Sequence, residues 1–362
     1  MKIGTKEAAW VMVVLLVSKI LFSDVNRFVY ESGTAGYLQV LLCTGVALLL
    51  FWGVSALYKK SGAKGDLFDL AKSSMGKVGL IISGTILFAF ELLNVAMQLK
   101  IFSNTISTIT LTNSPIYFIL IFITVVMVAA GYAGIEGISR FCSIGGFIMA
   151  VFLGILLLFD IPHCDGSNLF PILGNGALAI LKGTRSIAVF NEIIFLFLLI
   201  PYLKPDISIQ KIGFTSLIIA GVIFSLCTFF YILTVPYPVA LNFYMPLLQI
   251  SSAVNIDFLF ERAESIYLLL WIITCFLYMG ITFFFLLITF AKTFSLRNYK
   301  ALIPAFMAIL IVISGFWSNI NQLRPFYLAL YYIFCGVAYL LPAVIFTVSW
   351  IKNRKGQKKS HA

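Results

Sequence analysis

The sequence predicts an all-α polytopic membrane protein with ten transmembrane helices. Three observations predict it. Of the 362 residues, 61% are hydrophobic and 11% are charged, whereas a soluble domain carries about a quarter charged residues. The mean hydropathy is +1.04, which nearly excludes a soluble enzyme. Finally, apolar runs recur along the chain, each near the roughly 20 residues that cross a bilayer.

The ten runs fall at about 7–29, 36–58, 78–103, 115–133, 138–161, 184–202, 211–235, 262–291, 300–318 and 326–350. The first follows a basic start, lacks a small-residue cleavage site and is succeeded by further spans. It therefore reads as a helix and not as a signal peptide. The fourth and fifth are separated only by the Gly134-Ile135-Glu136-Gly137 turn. The sixth ends at Pro201. The eighth is long and must tilt or extend beyond the lipid. Two connections stand out, 163–183 with its glycines and 236–261 with mixed apolar and polar residues. The second suggests a short helix at the interface. No soluble domain separates the spans. The prediction is a single integral membrane domain over 1–362, with halves at about 7–161 and 184–350 and a basic tail at 351–362.

Lysine and arginine set the orientation. With the N-terminus inside, most of them collect in the inner connections and in the tail. Both termini are then expected to be cytoplasmic. The formal charge of +11 is accordingly no nucleic-acid signal but an inner rim facing anionic lipid.

Cysteines 43, 142, 164, 227, 275 and 335 are scattered without CxxC or metal-ligand spacing. They read as small buried hydrophobes. The histidines, His163 and His361, are too far apart to cluster. There is no Walker motif, HExxH or nucleophile elbow, so nothing marks an enzyme, and no cofactor or metal is implied.

The informative residues are ionisable and lie within or at the lip of the apolar runs. A charge in hydrocarbon costs on the order of 3 kcal/mol by insertion scales and more by simulation. In the first run these are Ser18 and Lys19, then Ser23 and Asp24. Lys19 lies midway, so it either pairs within the protein or snorkels to a surface. Asp24 reads as interfacial. In the third run Glu91, Asn94 and Gln98 stand at i, i+3 and i+7, one helix face that lipid cannot satisfy. That stripe either binds a ligand or holds the bundle together. In the sixth run Asn191 and Glu192 sit about a third of the way in. The first and sixth runs occupy matching positions of two halves, which is where repeat-built transporters place their sites. Glu136 and Arg140, four residues apart, suit a salt bridge along a helix. Arg262 and Glu264 open the eighth run and read as structural or gating residues at its mouth.

Four stretches carry a family likeness: GYAGIEGISR at 131–140, NLFPILGNG at 168–176, FNEIIFLFLLIPYL at 190–203 and ERAESIYLLLWI at 261–272. On these the chain resembles the B subunits of the nutrient germinant receptors of endospore formers, a spore permease family within the amino acid–polyamine–organocation transporter superfamily. The resemblance covers nearly the whole chain. It implies a LeuT-like fold of two inverted five-helix repeats, with a cavity between the first and sixth helices. It implies ligand-binding roles for Ser18, Lys19, Ser23, Glu91, Asn94, Gln98, Ile187, Val189, Asn191 and Glu192. Two departures are visible: Asn191 stands where relatives commonly have glycine, and the first helix lacks the glycine-rich break typical of amino-acid transporters.

The function this implies is a sensor in the spore inner membrane. It would bind a small nutrient germinant, an amino acid first, and signal to receptor A and C subunits. The alternative is a proton-coupled amino acid permease, in which Glu91 or Lys19 is the relay. A scaffold that binds nothing is the third reading.

Overall fold

Apolar runs become helices because a chain in hydrocarbon must satisfy its own backbone polar groups. The computed structural model describes residues 2–19, 24–62, 65–205, 207–253, 263–317 and 319–360. The α-helices are α1 (Thr5–Val17), α2 (Val25–Ser32), α3 (Gly36–Lys60), α4 (Leu67–Ile109), α5 (Ile116–Asp160), α6 (Ala177–Lys182), α7 (Phe195–Leu199), α8 (Ile209–Thr234), α9 (Pro246–Ala253), α10 (Ala263–Thr293), α11 (Ile303–Gly315) and α12 (Ile320–Ser360). Local chemistry starts several of them. Asp66 caps α4, accepting from the Asp69 N–H at 2.8 Å, while the Asp69 carboxylate accepts from the Asp66 N–H at 3.2 Å, a reciprocal capping box. Pro115 stands just before α5, and the Ser208 hydroxyl caps α8.

The expected ten transmembrane helices, and with them the five-plus-five layout, are corrected. Among the described residues seven helices are long and apolar enough to cross a membrane. Three local features account for the difference. The first predicted run is divided: α1 ends at Val17 after 13 residues, about 20 Å of helix against a hydrocarbon core of about 30 Å. Its second part, α2, leads through a 3-10 turn at Gly33–Ala35 into α3, so that Val25–Lys60 is one helical stretch. The runs at 115–133 and 138–161 join into the single element Ile116–His163. The predicted turn is present within it: at Gly134 (φ 69°, ψ −176°) the chain leaves the helical region and doubles back, since Phe122 meets Phe276 and Gly145 faces Leu277 at one level of α10. A side chain there would strain the backbone. Finally, the run at 300–318 yields only a short apolar helix, Tyr299–Gly315. The predicted helix in the 236–261 connection is α9, which packs on α10, α8 and α5.

Two elements form the buried centre. One is α10, whose Trp271, Tyr278, Phe283 and Leu286 are fully enclosed. The other is a 3-10 stretch, Gly183–Ile194, which continues into α7. Around them, α10 packs against α5 and α4, α12 against α4 and the 3-10 stretch, α3 against α8, and α1 against α8 and α5. The outward faces of α5 and α8 carry exposed Phe141, Phe147, Ile218 and Val222, as lipid-facing surfaces should.

At one end of the bundle the chain is tied shut. The Ile3 N–H donates to the Tyr202 carbonyl at 2.7 Å and the Lys204 N–H to the Ile3 carbonyl at 3.2 Å. Lys292 pairs with the buried Asp66 carboxylate. Lys352 and Asn353 donate to the Ser73 and Ser61 carbonyls, each at 2.7 Å. The opposite end opens into a cavity.

Candidate functional site

The site begins where α1 stops. The Ser18 hydroxyl bonds back to the Val14 carbonyl, and Lys19 follows in a turn with only 5% exposure. Its ammonium lies 2.5 Å from Glu192 Oε1 and donates to Asn191 Oδ1 at 3.1 Å. The ring of Tyr331 on α12 stands 4.7 Å from the same nitrogen. Asn191 and Glu192 lie on the 3-10 stretch just past Phe190, whose φ −103° and ψ 15° leave the helical region. Removing two charges from water costs several kcal/mol each. Close contact and further hydrogen bonds offset that cost here.

Glu192 is held from a second side. Tyr278 of α10 donates to Glu192 Oε1 at 3.2 Å, and Asn94 of α4 reaches the Tyr278 hydroxyl at 3.5 Å. A polar chain therefore joins α4, α10, the 3-10 stretch and the end of α1. Higher up the same face of α4, Gln98 donates to Tyr327 of α12 at 3.0 Å.

The structure does not bring every predicted residue to one place. Glu91 is 1% exposed and lies opposite Thr289 of α10. Neither of its carboxylate oxygens completes a hydrogen bond among the described residues. It makes no contact with the Lys19–Glu192 pair among the described residues, lying three residues before Asn94 on α4 and facing Thr289. Ile187 and Val189 are buried apolar residues of the 3-10 stretch. Ser23 and Arg262 lie outside the described residues, and Glu264 is exposed at the start of α10. Arg140 Nη2 meets Glu136 Oε1 at 2.9 Å on the surface of α5, with the arginine 69% exposed.

Above the pair lies a cavity of about 700 Å³. Of the predicted ligand-binding residues that are described, only Lys19 and Gln98 line it. Its other charged walls are Asp24, Arg27, Glu31, Arg185 and Arg324, and its aromatic walls include Tyr327 and Tyr332. Glu31 accepts from Gln39 at 2.5 Å, Ser186 at 2.8 Å and Arg185 at 3.4 Å, which ties α2 to α3 and the 3-10 stretch. Asn26 donates to the Phe243 carbonyl at 2.7 Å, which ties α2 to the loop before α9. The reading of the sequence missed Arg27, Tyr278, Tyr327 and Tyr331. The tyrosines looked like ordinary aromatics in apolar runs. The one available signal was the spacing of Tyr327 and Tyr331, four apart and so on one helix face. No grouping of three or more His, Cys, Asp or Glu side chains that could hold a metal ion occurs among the described residues. The arrangement suits a small polar molecule bound by charge and hydrogen bonds at the floor of a cavity with partly aromatic walls.

Comparison with known proteins matches residues 2–323 to the family described as "Spore germination protein". The chain is 24% identical over 328 residues to Spore germination protein A2 of Bacillus subtilis (strain 168), covering 87% of this chain and 86% of the relative. It is 25% identical over 260 residues to Spore germination protein YndE of the same organism, covering 69% of each. A nucleobase-cation-symport-1 family transporter, solved in a closed conformation with bromovinylhydantoin bound, has a similar fold. Its TM-score is 0.60 at 11% identity, over 91% of this chain and 75% of the transporter. That likeness places the all-α fold among those of such transporters.

Proposed function

We propose a function from one premise: the chain belongs to the spore germination protein family. It is a membrane-embedded, permease-like protein, and that membership supports a non-enzymatic role. From there we infer that it is the membrane subunit of a nutrient germinant receptor in the spore inner membrane. It binds a small germinant, an amino acid, and passes the signal to A and C subunits. Both termini face the cytoplasm, and the cavity opens to the outer side.

One observation carries this reading. A buried charge pair, Lys19 with Glu192 at 2.5 Å, joins the end of α1 to the 3-10 stretch at the floor of a polar cavity. Such charges in a membrane protein are functional by default. Asn191 and Asn94 extend the hydrogen-bond chain around that pair, Gln98 lines the cavity above it, and on this reading Ser18, Ile187 and Val189 complete the site. A ligand that competes for Lys19 or Glu192 changes how α1 is held against the 3-10 stretch. It shifts the protein between two packings only by its differential affinity for them.

The test compares spores carrying Glu192→Gln or Asn191→Ala with wild type. Receptor abundance is read by immunoblot and germination by dose response to amino acids. A dose response shifted by about tenfold or more at normal abundance is expected, the size of one lost charge-assisted hydrogen bond. An unchanged dose response at normal abundance overturns the site.

Glu91 favours a second reading, a proton-coupled amino acid permease. A carboxyl with no hydrogen bond among the described residues is suited to carry a proton. Concentrative uptake of radiolabelled amino acids into vesicles, without partner subunits and lost in Glu91→Gln, would select it.

A further inference from the structure

The floor of the cavity has a second charge pair, looser than the first. Arg27 Nη2 and Asp24 Oδ1 stand 3.4 Å apart, whereas a charge-assisted hydrogen bond closes to about 2.7–2.9 Å. Each partner keeps an arm free: Arg27 Nη1 and Asp24 Oδ2 are enclosed, and neither has a hydrogen-bond partner among the described residues. Asn26 Oδ1 and the Tyr331 hydroxyl are unpartnered as well among the described residues. Asp24 is 4% exposed and Tyr331 2%.

Unmatched buried polar groups are rare, and each one needs a reason. Here they form a matched set. Arg27 Nη1 and the Tyr331 hydroxyl can donate, and Asp24 Oδ2 and Asn26 Oδ1 can accept. Tyr331 links this set to the pair beneath. Its ring lies 4.6 Å from the Arg27 guanidinium and 4.7 Å from the Lys19 ammonium. Asp24 and Glu192 both act on it electrostatically. The lower pair, by contrast, is closed on itself at 2.5 Å and, among the described residues, leaves only Glu192 Oε2 unpaired.

We infer that Asp24, Asn26, Arg27 and Tyr331 form an upper half-site for the head group of a zwitterion. Arg27, with Tyr331, takes the carboxylate, and Asp24, with Asn26, takes the ammonium. This deepens the proposed function and rests on it. It also moves recognition of the head group off the ligand-binding residues that the resemblance implied, and onto Asp24, which the sequence suggested was merely interfacial. Both charges of the ligand are needed, since leaving either out strands one arm of the Asp24–Arg27 pair. Entry of the head group must displace the Tyr331 ring, because the free arms are closed from water in this state.

The test uses the full chain in lipid nanodiscs, with thermal unfolding as the readout. Each of the twenty standard amino acids is the probe. For each that stabilises wild type, its carboxamide, which lacks the carboxylate, and its N-acetyl form, which lacks the ammonium, are compared. Wild type is expected to bind both derivatives about 10–100-fold more weakly than the amino acid, the size of a lost charge-assisted contact. Arg27→Gln weakens the amino acid by a similar factor and the carboxamide little, so discrimination between those two collapses. Asp24→Asn collapses discrimination against the N-acetyl form instead. If Arg27→Gln does not fold, Arg27→Lys serves: it keeps the charge, loses the forked donors and narrows the same gap. Wild-type discrimination in both Arg27 and Asp24 variants overturns the half-site and leaves the proposed function standing. No stabilisation of wild type by any amino acid overturns both.

Discussion

Lys19 shows how a single residue turns membrane energetics into geometry. Midway along a greasy run, its ammonium is costly to bury unless paired. Glu192, Asn191 and the Tyr331 ring together supply the pairing. Removing one partner of such a pair leaves an uncompensated charge. Lys19→Met is therefore expected to cost about 3–5 kcal/mol. Adding Glu192→Met should recover most of that loss, since an apolar pair of similar volume is often neutral. A double-mutant cycle by thermal unfolding in detergent measures it. A double variant no more stable than Lys19→Met would show that the pair does not stabilise the fold through mutual contact. Glu91 is the contrasting residue, equally buried but with neither oxygen hydrogen-bonded among the described residues.

At the scale of elements, the central column depends on close approach between α4 and α10. Gly84 makes that approach possible. A Cβ at Gly84 would lie 2.1 Å from Thr293 Oγ1 and 2.8 Å from Thr293 Cβ. Two effects oppose each other in Gly84→Ala. Helix propensity gains about 1 kcal/mol, whereas overpacking costs about 1–3 kcal/mol. The clash is with the near part of a buried side chain, so overpacking wins and the variant melts lower. Combining it with Thr293→Ala should restore most of the loss. A Gly84→Ala protein more stable than wild type would contradict the packing of these two helices. The same approach places Tyr278 of α10 between Asn94 and Glu192, so packing of this column bears on the site.

At the scale of the whole molecule, one end is tied and the other is open. Backbone bonds from Ile3 to Tyr202 and Lys204, with the Lys292–Asp66 pair, close the end that holds the termini. The cavity lies at the far end, under α2 and the start of α12. The orientation inferred from basic residues then makes the cavity face outward. Reporter fusions check this. Alkaline phosphatase inserted at the exposed Gly166 should be active, and a fluorescent protein after Ala362 should fluoresce. An inactive phosphatase at Gly166 with a dark fluorescent protein after Ala362 would reverse the proposed orientation.

Taken alone, the amino-acid sequence determined the membrane class, the helical nature of nearly every segment, and which residues carry an unusual cost. These follow from composition and from periodicity over a few turns, which act locally. It also marked the neighbourhood of Gly134, because a glycine cluster is local too. The helix count was beyond it. Whether a break parts two helices, as after Val17, or leaves one helical stretch running through a reversal, as at Gly134, depends on what packs around the break. The partner of Lys19 was also a tertiary matter: Lys19 and Asn191 are 172 residues apart, and no local pattern joins them. Asp24 looked interfacial and the tyrosines looked like packing. Only the folding of α2, α10 and α12 around one 3-10 stretch brought Asp24 and Tyr327 to the cavity wall and Tyr278 and Tyr331 against its charge pairs.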